Sequence, residues 1–284
     1  MHMHHRSILN LLIREQADVY HAKAKDNLSS HALADYRRCP ALYRKKRLGL
    51  ISKRDSTAFV LGRAAHTLIL EGRKRYEAEY AVGGPVNPRT GKLFGSNTKA
   101  FAEWAASLGK PVLDDTQAAL IEQMAASVRE HIFAHELLSA GVAEGVVRVC
   151  YGGQDCQARI DWINPVEDRG IVDLKTCDSL DNFERDFRVF EYAHQLAFYR
   201  ELIVEAVAVE LEVFVIAVEK REPFRAGVWQ ISRALLDRAA DDNLAAMDEL
   251  ARCRETGVWP TRFESLRLLD HLVNHHPPQR SMTP

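Results

Sequence analysis

Two stretches, Ala158-Arg159-Ile160-Asp161-Trp162-Ile163 and Ile171-Val172-Asp173-Leu174-Lys175, decide the fold. Both are short, rich in β-branched and apolar residues, and separated by Asn164–Arg169, whose Asn, Pro and Asp read as a turn. In an extended chain, side chains two positions apart share a face, so Asp173 and Lys175 project together. If the strands pair as a hairpin, Asp161 lies beside them, and two carboxylates and an ammonium converge. Ile160, Trp162, Ile171 and Val172 flank these acids. Ionised carboxylates in apolar company are costly without a cation or donor. The Asp-x-Lys tripeptide alone fits a solvated salt bridge across a hairpin better than a site; its surroundings shift the reading toward a site.

Reading outward, Val146–Cys150 is a third strand, joined to Gln157–Ile163 by a turn at Gly152-Gly153. A helix is expected over Asp186–Glu205, then a central strand at Val209–Val218, a further strand at Ala226–Ile231 and a closing helix over Ser232–Glu255. Upstream the texture is helical. Ser29 or Ser30 caps a helix that Pro40 interrupts. Further helices are expected at Ser56–Leu70, Ser96–Ser107 and Asp114–Ser139, with a Gly/Pro/Asn-rich loop from Gly83 to Gly95. The order predicts an α/β fold with a mixed central sheet flanked by helices and an N-terminal helical region. The expected organisation is an extension over 1–27, one domain over 28–260 (28–140 mainly helical, 141–260 the sheet core) and a tail over 261–284.

The chain has 284 residues, 46% of them hydrophobic, with a formal net charge of −1. That composition suits a globular core and neither suggests nor excludes a polyanionic partner. The charge is unevenly placed. Between Arg37 and Arg75 twelve basic residues face only Asp55 and Glu71. Such a run is either the solvated face of amphipathic helices or a surface that neutralises phosphates. Five cysteines, none in a CxxC pair, and no apolar run of the ~18–20 residues that span a bilayer point to a reducing cytoplasm and no membrane.

Four segments in order resemble the PD-(D/E)xK nuclease superfamily, in its RecB-like and exonuclease VIII-like branch. They are Leu28-Ser29-Ser30-His31 through Cys39-Pro40-Ala41-Leu42-Tyr43; Gly62-Arg63-Ala64-Ala65-His66; Ala158–Asp161 with Asp173-Leu174-Lys175-Thr176; and His194-Gln195-Leu196-Ala197-Phe198-Tyr199. The resemblance spans Leu28 to Tyr199. Its name-giving proline is replaced here by Ile160.

The resemblance implies a restriction-endonuclease-like core with His66, Asp161, Asp173 and the Leu174 carbonyl as ligands for Mg²⁺ or Mn²⁺. It implies Lys175 as the catalytic lysine and Glu144 as the acid preceding the core strands. Gln195 and Tyr199, i and i+4 on one helix, are placed near the lysine or the DNA. With the basic run, Arg63, Arg37 and Arg44 become candidate DNA contacts. Some relatives hold an iron–sulfur cluster with three C-terminal cysteines; only Cys253 lies there, so no cluster is expected. The implied activity is 5′ to 3′ exonuclease action on linear duplex DNA in phage-type recombination or repair. The implied partners are duplex DNA, a single-strand annealing protein and further copies in a ring. A catalytically silent DNA-binding or assembly protein, a DNA endonuclease and a small-molecule hydrolase remain as alternatives.

Overall fold

The computed structural model describes residues 12–51, 57–164 and 169–268. Its helices and strands run in the order α1 (Ala17–Lys23), α2 (Ser30–Arg38), α3 (Pro40–Arg47), α4 (Thr57–His66), α5 (Arg73–Glu79), β1 (Ala81–Val82), α6 (Lys99–Leu108) and β2 (Val112–Leu113). There follow α7 (Asp115–Glu130), α8 (Ile132–Leu138), β3 (Val142–Tyr151), β4 (Gln154–Ile163), β5 (Ile171–Cys177), α9 (Phe183–Val189), α10 (Tyr192–Val207), β6 (Val213–Glu219), β7 (Ala226–Gln230) and α11 (Arg233–Thr256).

β3 to β7 form one five-stranded sheet in that order. β5 and β6 are parallel and the other neighbours antiparallel, so the sheet is mixed as expected. Alternate residues feed two cores. Ile171, Val213, Val215 and Ala217 pack with α2, α10 and α11, whereas Val172, Leu174, Ile216 and Val218 pack with α4, α7 and α8. A sheet covered on both faces needs strands that are apolar throughout, and β6 is such a strand. The β3–β4 turn uses Gly152 and Gly153, both at positive φ, as a two-residue hairpin connection requires.

Two helices read as continuous in the sequence are each divided. Asp114–Ser139 breaks at His131, whose backbone is extended and whose ring accepts from the Ala134 amide at 3.3 Å, capping α8. Asp186–Glu205 breaks at Phe190-Glu191, where Glu191 adopts φ 54°. The central strand starts at Val213 rather than Val209. Ser56 and most of the Asn164–Arg169 turn lie outside the described residues.

The segment before Leu28 is docked on the sheet. Ile13 exchanges both main-chain hydrogen bonds with Val146 at 2.8 and 3.0 Å, and Leu12 fills the space left open by Gly145. Glu15 pairs with Arg148, which holds its carboxyl below the usual range.

Candidate active site

The site lies where β4 and β5 part. Their ladder comprises Trp162 opposite Val172 and Ile163 opposite Ile171, and stops there. At the next step the Leu174 amide donates to Asp161 Oδ2 at 2.9 Å instead of to a β4 carbonyl. A carboxylate has replaced a ladder acceptor, and the strands diverge like a fork. Beyond it, the freed edge of β4 is satisfied by Leu28, which donates to Asp155 and accepts from Gln157, both at 2.8 Å. β5 continues along β6 through Cys177.

One prong gathers His66, Glu144 and Asp161. Each offers a ligand atom such that all three atoms lie within 4.8 Å of one another. His66 ends α4, which widens into a π-helical turn over Thr67–Glu71, a distortion frequent at functional sites. Its Nδ1 is 3.4 Å from Asp161 Oδ2. Gly62, one turn earlier, lies against β5, where a Cβ would stand 3.7 Å from Thr176 Oγ1, an ordinary contact. Glu144 sits inside β3 at φ 55°, an uncommon backbone for a side chain of its size, and reaches the site from the strand next to that of Asp161. Its Oε2 is 2.7 Å from Arg159 Nε.

The other prong holds Asp173, Lys175, Gln195 and Tyr199. Lys175 Nζ is 2.5 Å from Asp173 Oδ2 and donates to Gln195 Oε1 at 3.3 Å. Gln195 Nε2 donates to Asp173 Oδ1 at 3.2 Å and to the Tyr199 hydroxyl at 2.8 Å. One amide thus orients the carboxylate, the ammonium and the phenol together. The Lys175 ammonium also stands over the Tyr192 ring, 4.6 Å from its centroid.

The electrostatics follow from burial and proximity. Asp173 is 1% exposed, and burial pushes its carboxyl up although Lys175 opposes this. Asp161 is raised by burial as well, against the pull of Lys175. Burial and then the neighbouring Asp161 carry Glu144 to about 8. Burial and then Lys175 lower His66 to about 4, so its imidazole is neutral and able to ligate. For Lys175 burial disfavours the ammonium, but Asp173 and Asp161 outweigh it and the pKa rises. Several carboxyls driven upward beside a neutral imidazole describe a site short of positive charge.

That donor set fits a divalent cation. The carboxylates supply hard oxygen ligands and the imidazole a nitrogen. Asp173 Oδ2 is buried, with the Lys175 ammonium 2.5 Å away. The structure brings together His66, Glu144, Asp161, Asp173, Lys175, Gln195 and Tyr199. The compact cation cluster is His66, Glu144 and Asp161, whereas Asp173 turns toward Lys175. The Leu174 carbonyl lies against the His66 ring.

The arginines are placed differently. Arg37 binds Glu191 Oε2 at 2.8 Å and Asn243 Oδ1 at 2.5 Å. Arg44 donates to the Gly257 carbonyl at 3.2 Å and covers the Trp259 ring. Arg63 lies over Phe59. Much of the basic run is engaged internally: Lys46 pairs with Asp35, Arg73 with Glu122 and Arg75 with Glu79. Lys53 and Arg54 lie outside the described residues. Tyr199 is buried and its hydroxyl is spent on Gln195, so it meets the site through that amide. Sequence reasoning passed over Arg159 and Tyr192. Arg159 is two positions before Asp161 and so shares its face, a signal available in the sequence; nothing local pointed to Tyr192.

Among the described residues no helix is long and apolar enough to cross a membrane. Comparison with curated proteins finds no match. A solved structure from Eubacterium rectale, described as a "putative exonuclease", superposes with a TM-score of 0.64 at 17% identity. The match covers 92% of this chain and 96% of that one, and at such identity it shows a shared fold. The family model of a PDDEXK-like domain of unknown function (DUF3799) matches residues 29–271. With the forked strands and the Asp161, Asp173 and Lys175 set, that match identifies the chain as a member of this PDDEXK-like family, and so of the PD-(D/E)xK nuclease superfamily.

Proposed function

We propose that this protein is a divalent-metal-dependent exonuclease that hydrolyses linear duplex DNA, acting from the 5′ end in recombination or repair. The observation that carries the reading is the fork, where His66, Glu144 and Asp161 converge on one side and Asp173, Lys175 and Gln195 on the other. The likeness to the Eubacterium rectale protein, whose description names an exonuclease, supports exonucleolytic over endonucleolytic action. The 5′ polarity, the recombination setting, an annealing-protein partner and a ring of copies rest on the motif resemblance.

His66, Glu144 and Asp161 would hold Mg²⁺ or Mn²⁺. When bound, such a cation lowers the pKa of a coordinated water and offsets charge on the phosphoryl oxygen. The protein's own groups do the rest. Lys175 stays protonated beside Asp173 and Asp161 and presents its ammonium to the developing negative charge. Gln195 fixes the direction of that ammonium, and Tyr199 fixes Gln195. Arg159, whose Nε is 2.7 Å from Glu144 Oε2, adds a second cation beside the cluster.

The test is end-resolved digestion of linear duplex in Mg²⁺ or Mn²⁺, with either the 5′ or the 3′ ends blocked. The reading expects mononucleotides from DNA with free 5′ ends and protection when those ends are blocked. Cutting at internal positions regardless of blocking would assign an endonuclease instead.

A further inference from the structure

The corner between α9 and α10 carries a surface that the hydrolytic groups leave unused. Val189 and Phe190 are adjacent there, 65% and 61% exposed. Single exposed apolar residues need no explanation. These two differ because they adjoin the site. The Phe190 ring centroid is 5.7 Å from that of Tyr192, with the planes 33° apart. The Tyr192 ring in turn has the Lys175 ammonium over it. Phe190 is therefore one ring removed from the lysine, on its solvent side.

The corner is also held in place. Glu191, a non-glycine residue in the left-handed region at φ 54°, keeps that conformation only where its surroundings impose it. The main chain closes there through the Phe190 amide, which donates to the Asp186 carbonyl at 2.8 Å, and the Glu191 amide, which donates to the Arg188 carbonyl at 3.2 Å. Arg37 links the Glu191 carboxylate to Asn243, a residue 1% exposed on α11. Tyr192 is wedged between Phe187 and Phe190, at 5.9 and 5.7 Å. An exposed aromatic on a fixed corner is a preformed face, because little freedom remains to be lost when something stacks on it.

We propose that Phe190, backed by Tyr192, is the stacking platform for the nucleobase beside the phosphate being hydrolysed. The inference rests on the nuclease reading and specifies how that site would recognise a strand end. Every base offers a π-face, so aromatic stacking recognises nucleic acid without regard to sequence. Within a duplex that face is covered by its neighbours, and uncovering it costs unstacking energy. A terminal base has one face open already. A platform next to the lysine thus favours ends over interiors and nucleic acid over simpler phosphate esters.

The experiment combines deletion of the base with deletion of the ring. Linear duplexes carrying one abasic nucleotide at each of the first three positions from the attacked end are digested in Mn²⁺. Wild type, Phe190→Ala and Phe190→Trp are compared, with sedimentation of each protein. At one position the abasic site should lower wild-type kcat/KM about tenfold. Phe190→Ala should lower it about tenfold on intact DNA, with no further loss on that abasic DNA, and Phe190→Trp should keep both the rate and the dependence on the base. Losses that multiply, or cleavage indifferent to base and ring alike, would overturn the platform and leave the nuclease reading standing. So would a changed oligomeric state in Phe190→Ala with base dependence intact, which would make the corner an interface between copies. If wild type cleaves none of these DNAs, the nuclease reading fails and the platform with it.

Discussion

The Leu174 amide donates to Asp161 Oδ2 at 2.9 Å, in the place where a β4 carbonyl would continue the ladder. Asp161 therefore has two duties: it terminates strand pairing and it faces His66. The two can be separated. Asp161→Asn keeps an acceptor for the amide and removes the charge, whereas Asp161→Ala strands a main-chain donor, which costs about 1–3 kcal/mol. In metal-free buffer the Asn variant should exceed the Ala variant in stability by about that amount, with both inactive. Chemical denaturation of the pair measures it, and equal stabilities would mean that the carboxylate does not hold the fork.

Gln195 should behave as a positioning residue. Its amide bonds Asp173, Lys175 and Tyr199 at once. Gln195→Ala should lower kcat about 10- to 100-fold, the range typical for groups that orient ligands and reacting residues, with KM little changed. Tyr199→Phe removes one hydrogen bond, worth about 0.5–1.5 kcal/mol, and should slow the reaction only several-fold. A Tyr199→Phe enzyme slower than Gln195→Ala would contradict this order.

Metal binding should release protons near neutral pH. Glu144 rises to about 8 from an ordinary 4.5 through burial and Asp161. The folded, metal-free protein then retains a proton that the unfolded chain has lost over that interval. Stability therefore falls as pH rises from about 4.5 to about 8. A bound cation displaces the proton and removes the penalty. Calorimetric titration of Mn²⁺ at pH 7 in two buffers of different ionisation enthalpy should show proton release, abolished in Glu144→Gln. An identical heat in both buffers would show that Glu144 is ionised without metal.

Arg37 distinguishes a structural arginine from a phosphate contact. It holds Glu191 and Asn243. The ion pair with Glu191, itself 46% exposed, contributes little. Losing the partner of Asn243 Oδ1 costs about 1–3 kcal/mol. Arg37→Ala should destabilise the protein by that amount while leaving the salt dependence of DNA binding unchanged. Loss of a phosphate contact would instead reduce the slope of log K against log salt by about one.

Much of this arrangement was legible in the sequence because it is local. Asp173 and Lys175 share a face through strand alternation, and Gln195 and Tyr199 through helical spacing. The apolar flanks of Asp161 and Asp173 signalled that these acids were not simply solvated. What remained hidden depends on distant residues. No local pattern places a left-handed Glu191 between α9 and α10, and its side-chain partner Arg37 lies more than 150 positions away. The docking of Ile13 on Val146 is likewise a long-range pairing. The sequence suggested a hairpin bringing Asp161 beside Asp173, and the strands do pair antiparallel; hidden from it was that they pair over two residues and then part, since the Asp161 side chain takes the next ladder position. The basic run kept two readings in the sequence, and the structure spends many of its charges on Asp35, Glu79, Glu122 and Glu191.

The most direct test of the central claim is cleavage of linear and closed circular duplex DNA by wild type and Lys175→Ala, in Mg²⁺, in Mn²⁺ and in EDTA. The account predicts that wild type degrades linear DNA with either metal, spares the closed circle and is silent in EDTA, and that Lys175→Ala is silent throughout. Degradation undiminished in Lys175→Ala or in EDTA, or a wild type inert with both metals, would contradict it.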